Sequence, residues 1–197
     1  YLANDTGKVR AGMSCLVHAA AGGVGHILVQ LAKKAGASVL ATVGSADKAD
    51  AVRKLGADEV ILYRDTPFLA AVKGWGDKQG VDVVYDSIGK ATIADTIKAV
   101  RMHGLCVLYG NSSGLVDAIA PMDLAAAGSI FFTRPRLAHH LRNREEISRR
   151  ANDLFNGVKE GWLDARVADV VPLADAAKAH QKLPSRSTIG KIILAVG

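Results

Sequence analysis

Cysteine is nearly absent from this chain of 197 residues: only Cys15 and Cys106 occur, and they form no CxxC spacing. Two such thiols cannot build a disulfide framework, and a structural zinc site is not expected from them. Aromatic residues are scarce too, at 5%. They do not alternate with basic residues, as a stacking platform for single-stranded nucleic acid requires, so nucleic acid is not expected as the partner. Long apolar runs are missing. The run 192–196 is typical, and it falls far short of the ~20 residues of a membrane helix. Residues 1–10 are polar and mixed in charge, unlike a secretory signal. The expectation is a cytoplasmic protein with no membrane contact.

What the chain does have is 49% apolar residues, enough for a substantial core and too many for a disordered segment. Its 25 Lys and Arg against 19 Asp and Glu leave a net charge of +6. The densest basic stretch, 134–150, interleaves Glu145 and Glu146 and reads as a solvated helix face. A phosphorylated small molecule is then the better match for the basic excess.

Short β-branched runs alternate with helical stretches. Strands are expected at 13–18, 39–42, 60–63, 81–86, 105–109 and 130–133, with helices at 24–34, 47–55, 67–75 and 91–100. Apolar strands separated by helices indicate a parallel sheet covered on both faces. Gly36 and Gly56 stand where helix ends need them, and Thr66-Pro67 reads as an N-cap followed by proline at the first helical position. The fold class is therefore α/β, a doubly wound parallel sheet. Beyond residue 133 the rhythm changes. Asn143 and Glu146 form a capping box opening a helix that Gly157 ends, followed by a strand at 167–171, a helix at 175–183 and a strand at 191–196. Residues 1–136 are read as a nucleotide-binding domain and 137–197 as a segment packing against something else. Tyr1 is not preceded by a methionine, and the chain reads as a piece of a longer protein.

The strongest chemical signal is Ala19-Ala20-Ala21-Gly22-Gly23-Val24-Gly25, placed directly after a strand and before a helix. A pyrophosphate must approach backbone amides at a helix N-terminus, where the dipole and unpaired N–H groups favour anions, and any side chain there would block it. The pattern is A-x-G-x-x-G (Ala20, Gly22, Gly25), a dinucleotide fingerprint in its proper strand–turn–helix context. The second strand ends Val43-Gly44-Ser45 with no acid at its tip. An acid there would hold two ribose hydroxyls, whereas Ser45 can donate to a 2′-phosphate and Lys48 can neutralise it. Asp47 is read as a first-turn residue favoured by the helix dipole, so NADPH is expected rather than NADH. The carboxyl ends of the other strands nominate Tyr63, Arg64, Ser87, Ile88, Gly89, Gly110, Asn111, Ser112, Thr133 and Arg134. His18 lies on the first strand, His103, His139, His140 and His180 have no spaced Asp or Ser partners, and both cysteines lie on strands, so no catalytic residue is named.

The phrases 17–25, Val83-Val84-Tyr85-Asp86-Ser87-Ile88-Gly89, Tyr109-Gly110-Asn111-Ser112-Ser113-Gly114 and Thr133-Arg134-Pro135, with the ending Gly190-Lys191-Ile192-Ile193-Leu194, resemble NADPH:quinone oxidoreductases. These form the zinc-free, zeta-crystallin-like branch of the medium-chain dehydrogenase/reductase superfamily. The resemblance spans essentially the whole chain. It implies a pyrophosphate over Gly22, Gly23 and Val24, an adenosine 2′-phosphate at Gly44, Ser45, Lys48 and Tyr63, and Ser87, Gly110 and Asn111 on the ribose side. Phe132, Thr133 and Arg134 would meet the nicotinamide, and Arg186 would reach in from the C-terminal segment. It also implies that 137–197 belongs to a catalytic domain otherwise missing here, that 129–132 is the edge joining a homodimer, and that no metal takes part. Hydride would pass from NADPH to a quinone or conjugated carbonyl. An enoyl-thioester or alkenal reductase, and a non-catalytic NADPH-binding module, are the alternatives.

Overall fold

In the computed structural model, residues 1–75, 79–183 and 188–196 are described. The strands β1 (Ser14–Val17), β2 (Ser38–Val43), β3 (Glu59–Leu62), β4 (Val81–Asp86), β5 (Val100–Leu108) and β6 (Phe131–Thr133) form one sheet in the order β3-β2-β1-β4-β5-β6. Every pairing is parallel. The chain works outward from β1 to one edge, then restarts at β4 beside β1 and works to the other. That reversal opens a crevice at the carboxyl ends of β1 and β4, where doubly wound sheets bind their ligands.

The helices are α1 (Gly25–Lys34), α2 (Ala46–Lys54), α3 (Phe68–Lys73), α4 (Ile93–Ala99), α5 (Pro121–Ala126), α6 (Arg144–Lys159) and α7 (Ala176–Lys182). Successive strand residues point to opposite faces, so two apolar layers form. Cys15, Val17, Val39, Ala41 and Val43 pack in one layer with Leu28, Val29 and Val52 of α1 and α2. Leu16, Leu40, Ile61, Val84 and Cys106 pack in the other with Val72 and Ile97 of α3 and α4. Leu16 and Leu40 are wholly buried, and each such side chain contributes about 1.5–3 kcal/mol on leaving water. Burial on both faces is what makes the strands read as unbroken apolar runs.

Away from the crevice, Asp82 staples β1 to β4. Its Oδ2 accepts from the Ser14 amide at 2.8 Å and hydroxyl at 2.9 Å, while Arg101 Nε donates to Oδ1 at 2.7 Å. After β6 the chain adds a two-stranded parallel sheet, β7 (Val167–Pro172) and β8 (Lys191–Ala195). This segment is fastened to the larger sheet through α1. Gln30 Nε2 donates to the Asp164 carbonyl at 3.0 Å, and the Asp164 amide returns a bond to Gln30 Oε1 at 2.6 Å. At the other end Asp5 accepts from Arg150 of α6 at 2.8 Å. None of the described helices is long and apolar enough to cross a membrane.

Gly36 and Gly56 follow α1 and α2 with φ of +81° and +93°, the left-handed turn expected of them. Several local expectations need correction. The cap of α3 is Pro67 itself, extended at ψ 116°, and Thr66 is instead held in the preceding turn by its amide bond to the Leu62 carbonyl at 3.0 Å. Asn143 does cap α6, accepting from the Glu146 amide at 2.8 Å, but the reciprocal carboxylate turns to the Arg142 amide at 3.0 Å and the Arg142 guanidinium at 2.7 Å. Gly157 does not end α6, which runs to Lys159. Its bare Cα makes room for Trp162, whose ring lies 2.6 Å from where a Cβ would stand. The fourth helix stops at Ala99, and β5 begins at Val100 with no loop between, because Val100 already pairs with Val81. The short α5, opened by Pro121, has no counterpart in the sequence reading.

Candidate functional site

The peptide leaving β1 turns through Ala19, whose φ of +50° is left-handed. The Gly22 amide closes this turn onto the Ala19 carbonyl at 2.9 Å, and the His26 amide begins α1 by bonding to the Gly22 carbonyl at 2.8 Å. Among the described residues the amides of Gly23 and Val24 find no backbone carbonyl. They stand at the positive end of the ten-residue α1, where backbone donors and dipole together favour an anion. Gly25 is required on the other side of the turn. A Cβ there would lie 2.6 Å from the Ala19 carbonyl oxygen and 2.8 Å from the Ala20 Cα, so α1 packs on β1 at glycine distance.

A cleft of ≈ 520 Å³ opens over this turn. Its floor is Ala19, Ala21, Gly22, Gly23, Val24 and Gly25, and one end is Val43, Gly44, Lys48 and Tyr63. The Tyr63 ring lies over Gly44 at the end of β2, its hydroxyl 2.8 Å from where a Cβ on Gly44 would stand. Ser45 begins α2 without spending its hydroxyl on a cap hydrogen bond. The other end is Ser87, Ile88, Tyr109 and Ser112, and the C-terminal segment closes one side through Leu183, Thr188 and Gly190. Gly190 forms a parallel bridge with Gly22, and its amide donates to the Ala21 carbonyl at 3.0 Å. Burial pushes the Tyr109 phenol up to about 12, against a hydrogen bond with Ser87 that pulls it down, so it keeps its proton at neutral pH.

Of the residues nominated from the sequence, Gly22, Gly23, Val24, Gly44, Lys48, Tyr63, Ser87, Ile88 and Ser112 line this cleft, whereas the exposed Ser45 and Arg64 and the buried Gly89 are outside the lining. Gly110 and Asn111 are outside the lining. Gly110 is needed for loop packing, since a Cβ would lie 2.5 Å from the Ser87 carbonyl oxygen, while the nominated Ser112 and the neighbouring Tyr109 line the cleft. Phe132 turns toward the apolar layer around Ile130 and Cys106. Thr133 is half-buried beyond the cleft, and Arg134 is exposed with its guanidinium on the Pro135 carbonyl at 3.2 Å. Arg186 lies outside the described residues. Thr188 and Gly190 are contributions that sequence reasoning missed. The φ of +96° at Gly190 explains the glycine, but nothing local reveals that it meets residue 22.

Beneath the cleft, His18 is wholly enclosed, and burial lowers its pKa to about 4, against the opposing pull of Asp86. Both cysteines are fully buried; burial pushes Cys15 up to about 12 and Cys106 higher still. A smaller crevice of ≈ 300 Å³ lies behind α1 among His26, Lys54, Trp162 and Asp164, away from the glycine turn. Among the described residues no three His, Cys, Asp or Glu side chains converge as metal ligands would.

The bare turn with donors above it and a cation at one end fits the phosphates of a dinucleotide, and known proteins agree with that architecture. The zinc-binding dehydrogenase family profile matches residues 23–156. A 2-haloacrylate reductase from Burkholderia sp is 45% identical over 195 residues, covering 98% of this chain and 59% of the relative. The structure of Escherichia coli quinone oxidoreductase complexed with NADPH is 40% identical with a TM-score of 0.92, covering 98% of this chain and 60% of that one. A mycobacterial protein complexed with NADPH gives a TM-score of 0.94 at 39% identity, covering 100% of this chain and 60% of that one. The chain thus spans about 60% of the length of the relatives it matches. With its sheet order, glycine turn and matched profile, the chain belongs to the zinc-binding dehydrogenase family of the medium-chain dehydrogenase/reductase superfamily.

Proposed function

We propose that this chain is the cofactor-binding portion of an NADPH-dependent reductase acting on a quinone. The observation that carries the reading is the cleft itself: side-chain-free backbone at Gly22 and Gly23 beneath α1, with Lys48 and Tyr63 at one end. Bound there, NADPH supplies a hydride, and the protein supplies orientation and a dry wall. Gly23 and Val24 hold the pyrophosphate through their amides. Lys48 and Ser45 meet the 2′-phosphate, with charge-assisted bonds that a diol-binding acid would prevent. Ser87, Tyr109 and Ser112 flank the other half of the dinucleotide. The quinone oxidoreductase of E. coli, solved with NADPH, supports this assignment by likeness.

In this reading residues 1–136 form the cofactor domain, and 137–197 complete a catalytic domain whose remainder lies outside this chain. The protein acts in the cytoplasm, where two buried thiols stay reduced. Two copies join through β6, an edge strand on which Phe131 is 65% exposed. The test is loss of NADPH absorbance by the full-length protein with a panel of quinones. Turnover with quinones supports the reading, and tight NADPH binding without turnover on any acceptor would leave a binding module in its place.

A second reading follows from the 45% identity to a 2-haloacrylate reductase, above the 40% to the quinone enzyme. The acceptor would then be a small conjugated alkene, with hydride arriving at carbon. The same assay with 2-chloroacrylate beside the quinones separates the two.

A further inference from the structure

The cleft rests on a buried polar network that touches the glycine turn, the 87–89 loop and the loop after β5, with Asp86 at its centre. This carboxylate ends β4 and is wholly buried. Its Oδ1 accepts from the amides of Ile88 at 2.7 Å and Gly89 at 3.0 Å, fixing the loop that carries Ser87 and Ile88 into the cleft. Its Oδ2 accepts from the hydroxyls of Thr92 at 2.7 Å and Thr96 at 2.8 Å, both belonging to the start of α4. Its carbonyl accepts from the amides of Tyr109 at 2.8 Å and Gly110 at 3.2 Å, so the loop after β5 hangs on the same residue.

His18 carries the network across to the glycine turn. Thr96 has one hydroxyl proton and gives it to Asp86, so its oxygen can only accept from His18 Nε2–H, 3.2 Å away. Nε2 is therefore the protonated nitrogen. Nδ1 is left as the acceptor for the Thr42 hydroxyl at 2.9 Å. Phe68 stands edge-on to the imidazole, ring centres 4.6 Å apart, and fixes its plane. Thr42 closes the path, because its carbonyl accepts from the Ala20 amide at 3.1 Å inside the glycine turn. One chain of bonds thus runs from the Ile88 and Gly89 amides through Asp86, Thr96, His18 and Thr42 to Ala20.

None of Asp86, Thr96, His18 and Thr42 lines the cleft. We propose that they are positioning residues for the dinucleotide: the proton order Thr42→His18→Thr96→Asp86 sets the distance between the glycine turn and the 87–89 loop, and so the span over which the two halves of NADPH can bind at once. This rests on the NADPH reading above and adds to it residues that never touch the ligand.

Thr96→Val keeps shape and volume but removes both of that hydroxyl's bonds, whereas Thr96→Ser keeps them. In the full-length protein, NADPH titration of Thr96→Val well below its Tm should show a dissociation constant raised about tenfold, the equivalent of one or two net hydrogen bonds. Thr96→Ser should restore it to within about twofold. Amide exchange in the unliganded protein should accelerate at Ile88, Gly89 and Ala20 in the valine variant, while the Ser14 amide, on the Asp82 staple, stays protected. A lowered Tm with unchanged NADPH affinity and unchanged exchange at those three amides would reduce the network to ordinary core structure and overturn the proposal. Should Thr96→Val fail to fold, Thr42→Val interrupts the same chain at the sheet and is read in the same way. Wild-type protein that binds no NADPH would defeat the cofactor reading instead, a result distinct from either outcome for the variants.

Discussion

The Gly190 amide donates to the Ala21 carbonyl across 3.0 Å, tying the C-terminal strand pair to the floor of the cleft. Ala21 is 169 residues earlier in the chain, and the bond sits one residue from the bare glycines of the anion turn. Gly190 holds this position at φ +96°, and a Cβ on it would lie 2.4 Å from the Arg166 carbonyl oxygen. Gly190→Ala therefore combines a strained dihedral with a backbone clash. Its expected cost is about 1–3 kcal/mol of stability, measured by denaturant titration, with weaker NADPH binding as the strap lifts away.

Gly25→Ala probes the opposite wall of the turn. Its methyl would collide with backbone atoms of Ala19 and Ala20, which have no rotamer to yield. Either α1 moves off β1 or the turn opens. The expected result is at least a tenfold loss of NADPH affinity with a lowered Tm, read by isothermal titration and thermal melting.

Lys48 tests the proposed preference between the two nicotinamide cofactors. Lys48→Ala should weaken NADPH by about 1–3 kcal/mol, the range of a lost charge-assisted contact, while leaving NADH nearly untouched. Parallel titrations of wild type and variant with both cofactors give the answer. Equal losses for the two would remove Lys48 from the 2′-phosphate.

His18 gives stability a pH dependence with a definite sign. Its folded pKa is depressed, by burial first, to about 4, below its ordinary 6.5. The unfolded chain therefore takes up the proton first. The contribution of neutral His18 is complete above pH 6.5 and is lost as pH falls toward 4, on the order of 2–3 kcal/mol across that window. Urea titrations between pH 7 and 4 should show this slope, and His18→Gln, which cannot titrate, should flatten it.

Phe131 tests the proposed dimer edge. Phe131→Asp places a charge on the exposed side of a three-residue edge strand, leaving the Phe132 side facing the core. Sedimentation of the full-length protein should shift from dimer to monomer, with its Tm changed little. A dimer that survives the substitution moves the interface elsewhere.

The strands were legible because both faces of the sheet are buried: Leu16 and Leu40 face one apolar layer, Val17 and Ala41 the other, and none could be polar. The glycine turn was legible because its strand–turn–helix setting leaves few residue choices, and at Gly25 a Cβ would meet backbone at 2.6 Å. Where the reading failed, the deciding contact was distant. Trp162 explains Gly157, and Ser87 explains Gly110; neither glycine serves the purpose its local sequence indicates. From the 109–114 loop the nominated Ser112 lines the cleft beside Tyr109 while Gly110 and Asn111 do not, because that loop is laced to 87–92, the Ser112 amide bonding the Ser87 carbonyl at 3.1 Å. His18 reads as an ordinary residue of the first strand, yet its partners Thr42 and Thr96 lie 24 and 78 residues away and meet only through the sheet order.

Quinones and halogenated alkenes are electrophiles that alkylate exposed thiolates. Cys15 and Cys106 stand inside the two apolar layers, and burial holds both as thiols far above neutral pH. Were the acceptor of the proposed kind, these two positions would offer it no sulfur nucleophile to alkylate.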